Sequence, residues 1–197
     1  MYRILSIGLE LFAAAIVLVP LLLVLQKVYF HNGKRTILLL LFSCYLATMY
    51  IVVGLPSITY FRFDVSLNWI PFWGMMADIQ NSILNVILFV PFGFFLPLLW
   101  KRFRSFKATV LLGLGTTLFI ETVQIFTFRA TDINDIITNM AGTIIGYWLT
   151  TLLTKKISSL LSLASEKRDT VLVFSTVFVV MFFAHPFIST ILWELVL

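Results

Sequence analysis

Between residues 121 and 146 the sequence sets an acid, an amide, a base, two more acids and a second amide among apolar residues: Glu121, Gln124, Arg129, Asp132, Asp135 and Asn139. Groups of these types could do three kinds of chemistry. Two carboxylates can work as acid and base on a bound substrate. Three carboxylates with two amides suit a hard divalent cation such as Mg²⁺ or Ca²⁺. An arginine at headgroup depth can hold a lipid phosphate. Zinc does not fit, because the histidines, His31 and His185, lie elsewhere in the chain. No nucleophile elbow, phosphate loop or HExxH stretch is present. No cofactor is therefore expected, a divalent cation at the acidic cluster being the one chemistry the donors would fit.

Two helices must position these groups. The spacing predicts a hairpin with a very short turn near Arg129–Thr131, which makes its helices antiparallel neighbours. Glu121, Gln124 and Phe128 share one helix face, as do Asp132, Asp135 and Asn139. Symmetry about the turn puts Glu121 level with Asn139, on the order of 12 Å from it at about 1.5 Å per residue. Plainer roles compete at each position. Thr131 or Asp132 can cap the second helix, and Asp135 in its first turn suits the helix dipole. Asn85 and Asn139 can bond between helices, and Arg129 can pair with Asp132.

The surroundings are a membrane. The chain is 60% hydrophobic and 12% charged over 197 residues, with a mean hydropathy of +1.03, more apolar surface than a soluble domain could bury. Six spans are expected, at about 4–26, 36–56, 80–100, 107–128, 132–154 and 170–193, within a single membrane domain, residues 1–197. The first is too long for a signal peptide and is read as retained. Lys27, Lys34, Arg35, Lys101, Arg102, Arg104, Lys107, Lys155, Lys156, Lys167 and Arg168 fall at alternate ends, leaving Arg3, Arg62 and Arg129 at the others. Eleven of the fourteen bases thus mark the cytoplasmic side. Both termini and the Arg129 turn are then extracytoplasmic, and the net charge of +5 reflects orientation rather than nucleic-acid binding. The asymmetric loops argue against an inverted-repeat transporter.

Residues 57–80 form the one long outer segment, with Trp69, Phe72 and Trp73 as interfacial aromatics and Pro71 and Gly74 as helix breakers. Asn85 lies just below the outer surface of span three, in the layer of Glu121 and Asn139. Pro91 and Pro97 should bend that span, and Gly142 and Gly146 form a small-xxx-small pair that lets another helix approach closely. His185-Pro186 predicts a kink in span six. Trp100 and Trp148 read as inner-interface belt residues, Glu10 as an interfacial acid, His185 as a packing residue and Cys44 as a small core residue.

In order and spacing, Asn68-Trp-Ile-Pro71-Phe72, Asn85-Val-Ile-Leu-Phe89-Val-Pro91-Phe-Gly93-Phe-Phe-Leu-Pro97, Glu121-Thr-Val-Gln124, and Arg129-x-x-Asp132-x-x-Asp135-x-x-x-Asn139-x-x-Gly142-x-x-x-Gly146 resemble the VanZ-like family over residues 60–150. The family's founding member is linked to tolerance of teicoplanin, a lipid-bearing glycopeptide that acts outside the cell membrane. The resemblance implies a multi-pass protein of a bacterial, Gram-positive cell membrane. It makes Asn85, Glu121, Gln124, Arg129, Asp132, Asp135, Asn139 and Gly142 the positions expected to matter. Two functions follow as expectations. One is a non-enzymatic envelope protein that binds a membrane lipid, a lipid-linked cell-wall component or a lipoglycopeptide. The other is a membrane-embedded hydrolase or transferase using Glu121 with Asp132 or Asp135 as acid and base.

The orientation has a direct test. With single cysteines at Thr131 and Ser105 in a Cys44→Ser background, an impermeant thiol reagent on intact cells should label position 131 and spare 105. The opposite pattern would invert the topology.

Overall fold

The structure, a computed structural model, describes residues 2–25, 27–28, 32–60, 63, 67–68, 70–72, 78–127, 131–164 and 168–196. In chain order the helices are α1 (Tyr2–Leu25), α2 (Gly33–Val52), α3 (Ile79–Leu99), α4 (Phe106–Gln124), α5 (Ile133–Leu152), the single turn α6 (Ser158–Leu161), α7 (Arg168–Val179) and α8 (His185–Val196). A π-helical turn, Val180–Ala184, joins the last two. Two-residue strands, β1 (Leu67–Asn68) and β2 (Thr131–Asp132), pair in parallel. The chain is an all-α polytopic membrane protein. Five stretches are long and apolar enough to cross a membrane: Ser6–Leu25, Gly33–Val52, Ile79–Leu99, Phe106–Gln124 and Asp169–Val196. The sixth long helix, α5, is less apolar because Asn134, Asp135, Thr138, Asn139, Thr143 and Thr150 lie along it. The described residues divide into two compact units, Met1–Phe61 with Arg168–Leu197, and Arg62–Lys167.

In the Arg62–Lys167 unit, α5 packs most extensively on α3 and also on α4. Its contact with α3 is backbone against backbone. A Cβ at Gly146 would lie 2.0 Å from the Val90 carbonyl oxygen, one at Gly142 2.3 Å from that of Val86, and one at Gly93 2.0 Å from that of Thr143. Contacting residue numbers rise together, so α3 and α5 run parallel. Helix α3 continues through Pro91 and Pro97. Pro97 has no N–H for the Gly93 carbonyl, and beside that gap the Thr150 hydroxyl crosses from α5 to donate to the Phe94 carbonyl at 2.8 Å. Helix α4 turns Leu111, Leu118 and Phe119 outward and buries Thr109, Gly113, Thr117, Glu121 and Gln124. That is the reverse of a soluble helix and is the pattern lipid favours.

Trp100 departs from the expectation of a belt residue. It is 1% exposed and packs edge-to-face on Phe103. The chain turns straight from α3 into a short 3₁₀ stretch, Lys101–Arg104, which folds Trp100 inward. Trp148 is 52% exposed.

In the other unit, α1 packs on α2 and α8, and α2 packs on α7. Arg35 on α2 pairs with Asp169 on α7. Helix α2 ends in a Schellman turn at Gly54, whose φ of 65° suits glycine; the Gly54 N–H reaches Ile51 O and the Leu55 N–H reaches Tyr50 O. The expected kink at His185-Pro186 takes the form of the π turn, closed by His185 N–H on Val180 O. Pro186 leaves Phe182 O without its helical donor, and the Ile58 N–H supplies one at 3.1 Å.

The glycine contacts make a sharp prediction. Gly146→Ala and Gly93→Ala should each lower stability by about 1–3 kcal/mol through overpacking. Gly115→Ala meets nothing within 4 Å and should be neutral or gain up to ~1 kcal/mol of helix propensity. Thermal unfolding in detergent reads the difference; equal losses at all three positions would refute the close approach.

Candidate functional site

Helix α4 stops at Gln124, where the Thr127 N–H and hydroxyl both fold back onto the Gln124 carbonyl. The chain returns at Thr131, whose hydroxyl donates to the Glu121 carbonyl at 2.9 Å. One residue on, the Asp132 N–H donates to Glu121 Oε2 at 2.9 Å. The Glu121 carboxylate, 3% exposed, is therefore anchored at the start of α5, where free N–H groups and the helix dipole favour an anion. Asp132 caps α5 by accepting from the Asn134 N–H at 2.8 Å.

A second strand of chain is tied to the same point. Leu67 pairs with Thr131 and Asn68 with Asp132. The Asn68 side-chain amide donates to both Asp132 carboxylate oxygens at 3.1 Å. Asn134 Oδ1 accepts from the Phe72 N–H at 2.7 Å, which holds Phe72 at its positive φ of 63° with its ring exposed. The chain around Asn68 and Phe72 is thus fastened to the α5 N-terminus by side chains. Of the expected aromatics there, Trp69 and Trp73 lie outside the described residues, as do Phe128 and Arg129.

Asn139 sits deeper than the hairpin symmetry predicts. Its Nδ2 donates to Thr117 Oγ1 at 2.9 Å, one helical turn before Glu121, while Glu121 itself is level with Asp132. The physical reason is the connection: α4 ends at Gln124 and α5 begins at Ile133, so residues 125–132 replace the short turn expected near 129–131. Asn139 is 3% exposed, and its Oδ1 is buried without a hydrogen-bond partner among the described residues. Gln124 is buried as well, at 2%. Asp135, half-buried, occupies the first turn of α5. The side chain of Asn85, a residue half-buried on α3, makes no hydrogen bond among the described residues. No three His, Cys, Asp or Glu side chains of the described residues converge as metal ligands.

The structure therefore joins Glu121, Asp132 and the start of α5 directly, with Asn139 a turn below. It adds Asn68, Thr117, Thr131 and Asn134, which the sequence analysis did not single out as site residues. Two carried a usable signal: Thr117 lies four residues before Glu121 on the same face, and Asn68 precedes a proline turn, where asparagine side chains bind local backbone. Chemically, Glu121 and Asp132 hold backbone and amide donors, whereas Asn139 Oδ1 is an acceptor still lacking one.

A helical membrane protein whose polar groups gather where α4, α5 and the segment around Asn68 meet is the class that this fold and site define. Comparison places it further: a sequence model of the VanZ/LLP1 family matches residues 36–154, more than half of the chain, and the chain belongs to that family. It is similar to Protein VanZ of Enterococcus faecium, 36% identical over 110 residues, covering 55% of this chain and 63% of that protein, less than two thirds of the relative's length. No solved structure matches. The family match begins inside α2 and ends just past α5, leaving α1, α7 and α8 outside it.

The Asn68–Asp132 contact predicts coupling. Asn68→Ala and Asp132→Ala should each destabilise, the second by about 0.5–2 kcal/mol from the lost cap alone. The double variant should fall short of their sum by roughly 0.5 kcal/mol or more. Strict additivity in thermal unfolding would show that the bond carries no stability.

Proposed function

We propose that this protein crosses a Gram-positive cell membrane six times with both termini outside. In this reading the polar end of the α4–α5 hairpin binds the head of an amphiphile, a lipid-linked cell-wall component or a lipoglycopeptide, in the outer half of the bilayer, and so alters susceptibility to teicoplanin-type antibiotics. One observation carries the reading: the Asn139 acceptor left without a donor among the described residues in the buried layer, below the half-buried Asp135. Buried polar groups are normally paired, and an orphan calls for an explanation; a ligand donor supplies one. A charge within a span costs a few kcal/mol on insertion scales, about 2.5–3.5 at the centre, and helix packing alone could use serine or threonine instead. The acid–base alternative draws no support from the geometry, because a Glu121 oxygen and both Asp132 oxygens already accept from backbone and amide donors.

The test separates binding from folding. Glu121→Gln keeps an oxygen acceptor for the Asp132 N–H, and Arg129→Gln and Asp135→Asn remove one charge each. All three should retain membrane abundance and melting temperature in detergent yet lose protection against teicoplanin. Variants that are depleted or melt early would make the cluster a structural network. Stable variants with unchanged protection would place the site elsewhere.

A further inference from the structure

A second polar cluster lies wholly within the unit Met1–Phe61 with Arg168–Leu197, on helices outside the family match. Glu10 sits on α1 within a stretch apolar enough to span a membrane. Its Oε1 accepts from the Ser189 hydroxyl at 2.9 Å and from the Trp193 indole N–H at 2.8 Å. Its Oε2 lies 3.0 Å from His185 Nε2, and the same nitrogen is 3.2 Å from the Glu10 carbonyl. A carboxylate offers about four acceptor positions and no donor. Three are filled here, which leaves one on Oε2. Because the carboxylate only accepts, the His185 proton that faces it sits on Nε2. No hydrogen bond reaches Nδ1 among the described residues.

Glu10, His185 and Ser189 line a cavity of about 280 Å³ whose wall also includes Tyr50, Gly54, Ser57 and Thr59. The backbone builds that wall. The Schellman turn at Gly54 reverses the chain after α2, and the Ile58 N–H is fixed on the carbonyl that Pro186 leaves free. Ser57 and Thr59, whose hydroxyl oxygens are 3.1 Å apart, are thereby held in the same cavity as Glu10 and His185.

We propose that this cavity binds a primary ammonium group. The cavity offers one open acceptor position on the Glu10 Oε2 anion, together with the hydroxyl oxygens of Ser57 and Thr59. An ammonium brings three donors, no acceptor and the opposite charge. A phosphate or carboxylate would meet the Glu10 anion, and an alkyl chain would leave its open acceptor position unpaired. Ionisable groups in spans are costly and mark function more often than packing, and π turns recur at functional sites. Aminophospholipid headgroups and small free amines share this chemistry.

The test uses the full-length protein in mixed micelles of phosphatidylethanolamine and phosphatidylglycerol in equal amounts, with retained lipid counted by native mass spectrometry. In parallel, the melting temperature is read with ethanolamine hydrochloride against matched sodium chloride. Wild type should retain phosphatidylethanolamine in preference, and Glu10→Gln, which keeps an oxygen for Ser189 and Trp193 but loses the charge, should cut that preference about tenfold, as loss of one charged hydrogen bond would. A lipid preference without an ethanolamine shift assigns the site to the headgroup; a shift abolished in the glutamine variant, without lipid preference, assigns it to a free amine. Should Glu10→Gln fail to fold, Thr59→Val, which leaves the Glu10 bonds intact, should weaken whichever response the wild type shows. Absence of both wild-type responses, or variants that respond as wild type does, would overturn the proposal and reduce the cluster to a tie between α1 and α8.

Discussion

The contact of α3 with α5 through Gly93, Gly142 and Gly146 is the constraint on which the site depends. In lipid, apolar side chains gain little by meeting one another, so helices associate through close packing and weak polar contacts between backbones. Removing Cβ at three points lets carbonyl oxygens of each helix touch the other's backbone. The register follows: Val86 against Gly142, Val90 against Gly146, and Phe94 reached by Thr150. A slip of one residue would rotate the α5 side chains by about 100°, enough to turn Asn139 away from Thr117 and Asn134 away from Phe72.

The same scarcity of water governs the prolines. Each removes an N–H from a helix where no solvent can replace it. Near Pro97, a threonine of the neighbouring helix donates to a carbonyl beside the gap; at Pro186, the backbone of residue 58 donates to the freed carbonyl itself. Threonines along α5 return their hydroxyls to carbonyls one turn back, as Thr138, Thr143 and Thr151 do, so a helix with many polar residues still leaves few groups unpaired. Within this economy the Asn139 oxygen is conspicuous.

Hydropathy made the apolar helices legible, and spacing made the close-packing glycines legible, because both signals are local. Depth across the hairpin was not legible: it depends on where α4 stops, and Thr127 folding back on Gln124 ends it earlier than the apolar run does. Asn68 was hidden for a related reason, since its partner Asp132 lies far along the chain and only the parallel pairing of two residues brings them together. Glu10 and His185, read apart as an interfacial acid and a packing residue, are separated by nearly the whole sequence and meet only in the folded unit. Trp100 was misplaced because belt position was inferred from nearness to a span end, whereas the turn into the 3₁₀ stretch decides the direction of the ring.

Helix α5 carries most of the candidate site and is the least apolar of the long helices, and these two facts have one cause. Polar side chains are tolerated at membrane depth only against protein, and α5 has α3 along one side and α4 along another. Within that shelter the polar groups divide by what they touch. Glu121, Asp132 and Asn134 grip backbone and side chains of the connection and of the segment around Asn68 and Phe72, which gives the α5 N-terminus its shape. Among the described residues, Asn139 retains an unused acceptor and the Asn85 side chain makes no hydrogen bond. Truncating a gripping residue should therefore change the frame, whereas a replacement that keeps its acceptor, as Glu121→Gln does, should change only what the frame can hold. Measurements that separate stability from protection follow that same division.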